Sequence, residues 1–131
     1  MSDDVMQVDL VAADRLVWSG EAKMVIARTS DGDVGVLPNH APMLSVLVES
    51  VVEVRTTDDE EWVAAVDSGF LSVARNRVAI LAEQAEMSHE IDLEHARNEV
   101  ERLHSAGEDE DEARRELARQ EARVRAAERS A

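Results

Sequence analysis

The spacing of apolar residues changes period once along the chain. From Val5 to about Met87, valines and other apolar residues alternate with polar ones in short runs broken by Gly, Pro, Asn and Asp, the habit of short strands joined by turns. The runs predict strands at residues 5–12, 15–18, 22–29, 34–37, 43–48, 51–57, 61–67, 69–73 and 77–83. In the run 51–57, Glu53, Arg55 and Thr57 share one face and Val52 and Val54 the other, so a sheet wetted on one side is expected, with a well-specified register. Thr57-Asp58-Asp59-Glu60 and Ala74-Arg75-Asn76-Arg77 read as hairpin tips, because Asp and Asn tolerate the backbone angles of tight turns.

After Met87 the steps become three and four. Leu93, Ala96, Val100 and Leu103 place one apolar stripe along a helix, with Asp92 as its N-cap. Gly107 interrupts, and the acid run Glu108 to Glu112 suits the positive end of a second helix carrying Ala113, Leu117, Val124 and Ala127. Glu110 with Arg114, Asp111 with Arg115, and Glu121 with Arg125 sit four apart with the acid first, each pair adding roughly 0.2–0.5 kcal/mol. The stripes are narrow and rich in alanine, so two such helices need a surface to pack on, and a movable element is expected. The expected fold is therefore α+β: an N-terminal all-β sandwich or flattened barrel of about nine to ten strands, then a C-terminal antiparallel helical hairpin. The expected division is residues 1–87 and 88–131, with a hinge near Glu86 to Glu90.

Composition narrows the function. A chain of 131 residues suits one core with an appendage, and the absence of cysteine excludes disulfides and thiolate metal sites. With 29 acidic against 14 basic residues the formal charge is −15, which disfavours nucleic-acid phosphates and anionic lipids as direct partners. If the chain works at a membrane, another protein brings it there. Trp18, Trp62 and Phe70 are the only aromatics, expected as core or edge fillers in an otherwise aliphatic interior. The acidic start, Met1 to Asp4, lacks the basic region of a signal peptide, and no run is long and apolar enough to span a membrane.

The densest motif is Asp31-Gly32-Asp33-Val34-Gly35-Val36-Leu37-Pro38-Asn39-His40-Ala41-Pro42-Met43-Leu44. Its glycines permit tight turns and its prolines fix φ and remove donors, so a rigid excursion between strands should present Asp31, Asp33 and His40. As chemistry alone, His40 is a turn-stabilising histidine or, with the two aspartates, part of a metal site that lacks a fourth ligand. A metal hydrolase built on these residues would have no nucleophile and no second histidine nearby. His89, His95 and His104 belong to the helical half, and His95 and His104 lie about two and a half turns apart on nearly opposite faces.

The block resembles the signature of the epsilon subunit of bacterial F-type ATP synthases. The likeness continues in Leu16-Val17-Trp18-Ser19-Gly20, in Asp67-Ser68-Gly69-Phe70-Leu71, where Ser68 replaces the commoner glycine, in Ile80-Leu81-Ala82-Glu83 and in Ile91-Asp92-Leu93-Glu94-His95-Ala96. The resemblance covers about Met6 to Leu103. It implies a non-catalytic rotor subunit of the central stalk, peripheral on the cytoplasmic face of the cell membrane, that couples the gamma subunit to the c-ring for proton-driven ATP synthesis. It implies that Asp31, Asp33 and His40 meet the polar loops of the c-ring, with Asp33 one methylene shorter than the usual glutamate. It implies that the hairpin inhibits ATP hydrolysis by reaching the alpha and beta subunits through Arg114, Arg115, Arg119, Arg123 and Arg125. Read alone, these arginines are intrahelical partners of neighbouring acids.

Some relatives bind ATP through an Ile/Leu-Asp-x-x-Arg-Ala motif. Ile91, Asp92 and Ala96 match it, but His95 stands in place of the arginine and removes a permanently charged phosphate partner, while Arg97 and Arg102 remain on nearby turns. The resemblance thus implies no obligatory cofactor and at most a degenerate ATP site. A stand-alone nucleotide sensor is the alternative reading, and it predicts heat on titrating the chain with ATP.

Overall fold

The computed structural model describes residues 5–107 and 110–129; the acidic start and the Glu108 and Asp109 of the acid run lie outside these. The strands are β1 (Met6–Ala12), β2 (Leu16–Thr29), β3 (Gly32–Val36), β4 (Met43–Leu47), β5 (Ser50–Thr56), β6 (Glu61–Val66), β7 (Gly69–Ala74), β8 (Arg77–Ala82) and β9 (Ala85–Met87). A single-turn 3-10 helix, Ser88–Glu90, leads to α1 (Leu93–Ala106) and α2 (Asp111–Arg129). This is the expected α+β sandwich with a helical hairpin.

Two strand expectations are corrected. Residues 15–18 and 22–29 form one strand, because Gly20 continues the pairing of β1 with β2, opposite Val8, where a turn was expected. A side chain at Gly20 would meet the Trp18 ring at 2.9 Å, so this glycine makes room for an indole. The ninth strand is instead β9, too short to show a period; it pairs with β6 through Ala64–Met87 and Val66–Ala85.

β2 shifts register between Ala22 and Met24, a bulge that bends it so that it serves both layers. Its first half pairs with β1, and the layer continues through the parallel pair β1–β8 to β7 and β4. Its second half lies between β3 and β5, and that layer continues through β6 to β9. Between the layers lies an aliphatic core that includes Val8, Leu10, Val25, Val36, Val52, Leu71, Val78 and Ile80. Trp18 and Trp62 close its rim, with ring centroids 6.3 Å apart.

Both predicted hairpin tips form. In the first, Asp59 takes a φ of 63° and Thr56 binds the returning chain, its Oγ1 accepting from the Glu60 N–H at 3.1 Å. In the second, Arg75 and Asn76 both take left-handed angles, 53° and 59°, matching the twist of a two-residue hairpin.

Asp92 caps α1 as expected, accepting from the His95 N–H at 3.0 Å. Arg97 early in α1 pairs with Glu128 late in α2 at 2.8 Å, so the helices run antiparallel. The predicted stripes bury Ala96, Leu103, Leu117 and Ala127. A second face of α2 was not anticipated: Ala122 and Ala126 pack on the outer face of β5 and β6, against Val51, Val63, Ala65 and Ile91. The face of β5 expected to be wet is thus partly covered by a helix.

Candidate functional site

The signature block does not gather its three ionisable residues. Thr29 Oγ1 accepts from the Asp31 N–H at 3.1 Å and donates to the Gly32 carbonyl at 2.9 Å, shaping a turn in which Gly32 takes a φ of 115°. Asp31 is exposed there. Asp33 sits opposite Arg28 on β2, whose Nε donates to its carboxylate at 2.8 Å. This hydrogen bond and the guanidinium charge hold the Asp33 carboxyl below its ordinary pKa. His40 lies past the other end of β3, its N–H donating to the Leu37 carbonyl at 3.1 Å. Asn39, at a φ of 69°, is bracketed by Asn76 of the β7–β8 turn, whose Nδ2 donates to its Oδ1 at 3.2 Å. Asp31 and Asp33 are therefore neighbours, while His40 is separated from them by most of β3, about 15 Å at roughly 3.3 Å per residue. β3 pairs only with β2 among the described residues, so all three flank a free sheet edge.

Sequence reasoning missed an exposed apolar row. On the outer face of the β1-β8-β7-β4 layer, Val46 lies opposite Phe70, Phe70 opposite Leu81, and Leu81 opposite Val11. Phe70 is 51% exposed, Leu81 47%, Val46 48% and Leu44 72%. Phe70 is thus no core filler: its neighbours Leu71 and Val73 take the inward positions, which sends Phe70 and Ser72 outward. Ser72 and Ala79 form the next row, small residues that leave a shallow floor. The signal was present as unbroken apolar runs, Phe70-Leu71 and Ala79-Ile80-Leu81-Ala82, which belong to strands apolar on both faces.

The arginines of α2 divide into two sets. Arg119 meets Glu116 at 2.5 Å, the Gln84 side chain at 2.8 Å and Asp67 at 3.8 Å. Arg123 binds Glu86 through Nε at 2.7 Å and Nη2 at 3.3 Å, and the buried Gln120 at 2.8 Å. Arg129, not singled out from sequence, reaches Glu53 and, at 3.4 Å, Glu61. Arg114 pairs with Asp111, one turn back instead of the expected four positions. Arg115 and Arg125 are exposed, and neither comes within 4.0 Å of the carboxylate expected to pair with it, Asp111 and Glu121 respectively.

The remnants of the nucleotide motif are already engaged. Asp92 serves as the α1 cap, Ile91 packs against the alanine seam, and Arg102 makes two 3.0 Å bonds to the Glu99 carboxylate. His95 is exposed.

The stretch Glu86 to Glu90, where a hinge is expected, makes several contacts with the sandwich. The Glu90 carboxylate accepts from the Met87 N–H at 3.0 Å and from Arg15 at 3.2 Å, and Arg15 also donates to the Ala85 carbonyl at 3.3 Å. His89 stands edge-on to Trp62, ring centroids 6.2 Å apart. The Met87 hydrogen bond first, then Arg15, depress the Glu90 pKa. A depressed carboxyl contributes stability above its unfolded pKa, about 4.3, and that contribution is lost as pH falls through the folded value. Thermal melts of the wild type and Glu90→Gln should therefore differ most above about pH 5 and converge in acid; a gap independent of pH would refute the linkage.

Comparison with known proteins agrees with this architecture. Residues 5–88 match the family model described as ATP synthase, Delta/Epsilon chain, beta-sandwich domain. The ATP synthase epsilon chain of Streptomyces avermitilis is 53% identical over 102 residues, 78% of this chain and 82% of that one. That of Nocardia farcinica is 44% identical over 124 residues, covering 94% and 90%. Among solved structures, a chain of the Euglena gracilis mitochondrial ATP synthase, determined as OSCP/F1/c-ring in rotational state 1, superposes with a TM-score of 0.74 at 22% identity, covering 95% of this chain and 78% of that one, a likeness of fold. The identity shared with the bacterial relatives extends past the sandwich into the helices, and this chain belongs to the family of ATP synthase epsilon chains.

Proposed function

We propose that the chain is a non-catalytic rotor subunit of the central stalk, on the cytoplasmic face of the membrane, that fixes the gamma subunit to the c-ring and restrains ATP hydrolysis. The observation that carries the reading is the exposed row Val46, Phe70 and Leu81 with Leu44 beside it. A contiguous apolar face on a chain of charge −15 has no role in its own folding and fits a permanent protein partner, for which the gamma subunit is the family's candidate. The polar loops of the c-ring would run along the free edge of β3, meeting Asp31 and Asp33 at one end and His40 at the other. Residues 1–87 act as the coupling part and residues 88–131 as the regulatory part, with Arg114, Arg115, Arg119, Arg123 and Arg125 available to acidic segments of the alpha and beta subunits when α2 leaves the sheet.

The test is ATP hydrolysis by an epsilon-depleted F1 complex, supplied with the full chain or with a form ending at Glu90, together with co-elution of each. Both forms should co-elute, and only the full chain should slow hydrolysis, by roughly tenfold for a coupling of about 1.4 kcal/mol. If neither co-elutes with its cognate complex, the proposed place in the stalk is wrong. Nucleotide sensing is the weaker reading, since Asp92 and Arg102 already have partners.

A further inference from the structure

The loop 37–42 leaves β3 in the second layer and enters β4 in the first, so it crosses from one layer to the other with His40 on it. Pro38 and Pro42 have no N–H to give, which leaves the loop few means of fastening itself. Within it, the His40 N–H donates to the Leu37 carbonyl at 3.1 Å, with Pro38 and the left-handed Asn39 between them. That is the pattern of a type II turn, proline at the first central position and a positive φ at the second. His40 Nδ1 lies 2.7 Å from the Ala41 carbonyl, which can only accept, so the neutral ring carries its proton on Nδ1 and keeps Nε2 as its acceptor. The turn therefore sets the direction of the backbone at His40, but nothing within it sets where the turn as a whole stands.

The β7–β8 turn supplies that. Asn39 donates its N–H to Asn76 Oδ1, and Asn76 Nδ2 donates back to Asn39 Oδ1 at 3.2 Å, so one carboxamide holds both the backbone and the side chain of Asn39. Asn76 is half-buried and is itself anchored, because its carbonyl accepts from the Gln7 N–H at the start of β1 at 2.9 Å. Both asparagines take left-handed angles, 69° and 59°, which glycine would also satisfy. Glycine would leave the two turns with nothing to join them. Aspartate at position 76 would keep the acceptor but set a second oxygen against Asn39 Oδ1. We infer that Asn39 and Asn76 form an amide latch that fixes the His40 turn to the corner of the β1-β8-β7-β4 layer, and that both are positioning residues acting through His40. β4 is already aligned with β7 from Met43 opposite Val73 onward, and the latch carries that alignment past the start of β4 into the loop. The row of Val46, Phe70 and Leu81 and the His40 turn are thereby held in one fixed relation. The use of the latch rests on the reading above that His40 meets the polar loops of the c-ring; the latch itself stands on the two amides.

Asn76→Gly removes both bonds and suits the left-handed turn, whereas Asn39→Gly keeps the type II turn and the backbone bond to Asn76 Oδ1. Amide hydrogen exchange on the full chain, read by NMR, tests the latch directly. Exchange at the position 39 amide should quicken by roughly tenfold in Asn76→Gly and far less in Asn39→Gly, with the core amides of β7 and β8 unaltered. Binding of the gamma–epsilon complex to detergent-solubilised c-ring tests its use. Asn76→Gly should weaken that binding by roughly tenfold and leave the affinity for gamma within about twofold, and in a His40→Ala background it should have no further effect. Exchange at position 39 that does not change overturns the latch. Unaltered c-ring binding in a variant whose exchange has quickened overturns the positioning role, as does an effect that adds in full to that of His40→Ala or falls equally on gamma. If the wild-type complex does not bind the c-ring at all, the proposed place in the stalk fails and the use of the latch with it, while the exchange measurement still decides whether the latch exists.

Discussion

Gly69→Ala should destabilise the fold by about 3 kcal/mol or more, seen as a lowered urea midpoint. Gly69 begins β7 opposite Ala82 of β8, and a methyl group there would lie 1.9 Å from the Leu81 carbonyl oxygen and 2.8 Å from the Ala82 Cα. Both obstacles are backbone, so no side-chain rotation can relieve the overlap. The strands would have to part where the Glu83 N–H donates to the Ser68 carbonyl at 3.0 Å, and where Leu71 and Ile80, both fully buried, face the core two residues on. Gly35→Ala is the control. Nothing lies within 4 Å of its added carbon and its φ is ordinary, so its effect should stay within about 0.5 kcal/mol. Equal midpoints for the two variants would mean that the β7–β8 crossing is looser than its geometry.

Phe70→Glu should do the reverse: leave the fold intact and abolish assembly. Phe70 points away from the core and is half exposed, so stability should change by no more than about 0.5 kcal/mol. If the gamma subunit covers the row of Val46, Phe70 and Leu81, a carboxylate at its centre becomes buried without a partner. That cost, about 3 kcal/mol or more, corresponds to a loss of affinity of at least roughly 100-fold. The measurement is gamma binding by calorimetry, with circular dichroism to confirm the sandwich. Unaltered affinity in a folded variant would place the gamma contact elsewhere on the molecule.

The sandwich and hairpin were legible because their periods differ: alternation in β1 and β5, steps of three and four from Leu93 to Leu103. The join of the two runs into β2 was not, since Gly20 signals a turn unless one knows that the Trp18 ring occupies the space above it. β9 was invisible at three residues, and its place depends on β6 being there to pair with it. Of the candidate site, Asp31, Asp33 and His40 were found by motif, but the motif could not say that β3 holds its two ends apart. The apolar outer face was written in consecutive apolar residues, of which only Phe70 was singled out, as a core or edge filler. The sandwich partners of Arg119, Arg123 and Arg129 lie 35 to 76 residues away in sequence, beyond any helical spacing rule.

β2 hydrogen-bonds along its length to β1, β3, β4 and β5, and so belongs to both layers at once. If the gamma subunit sits on the apolar outer face and the c-ring on the β3 edge, as proposed, this strand is the beam between them. A twisting load that enters at β4, β7 and β8 and leaves at β3 must pass through it. Because the load runs along the strand, rows of hydrogen bonds share it in shear instead of opening one after another. In the proposed rotor role, the sandwich would then turn as one piece with its core intact.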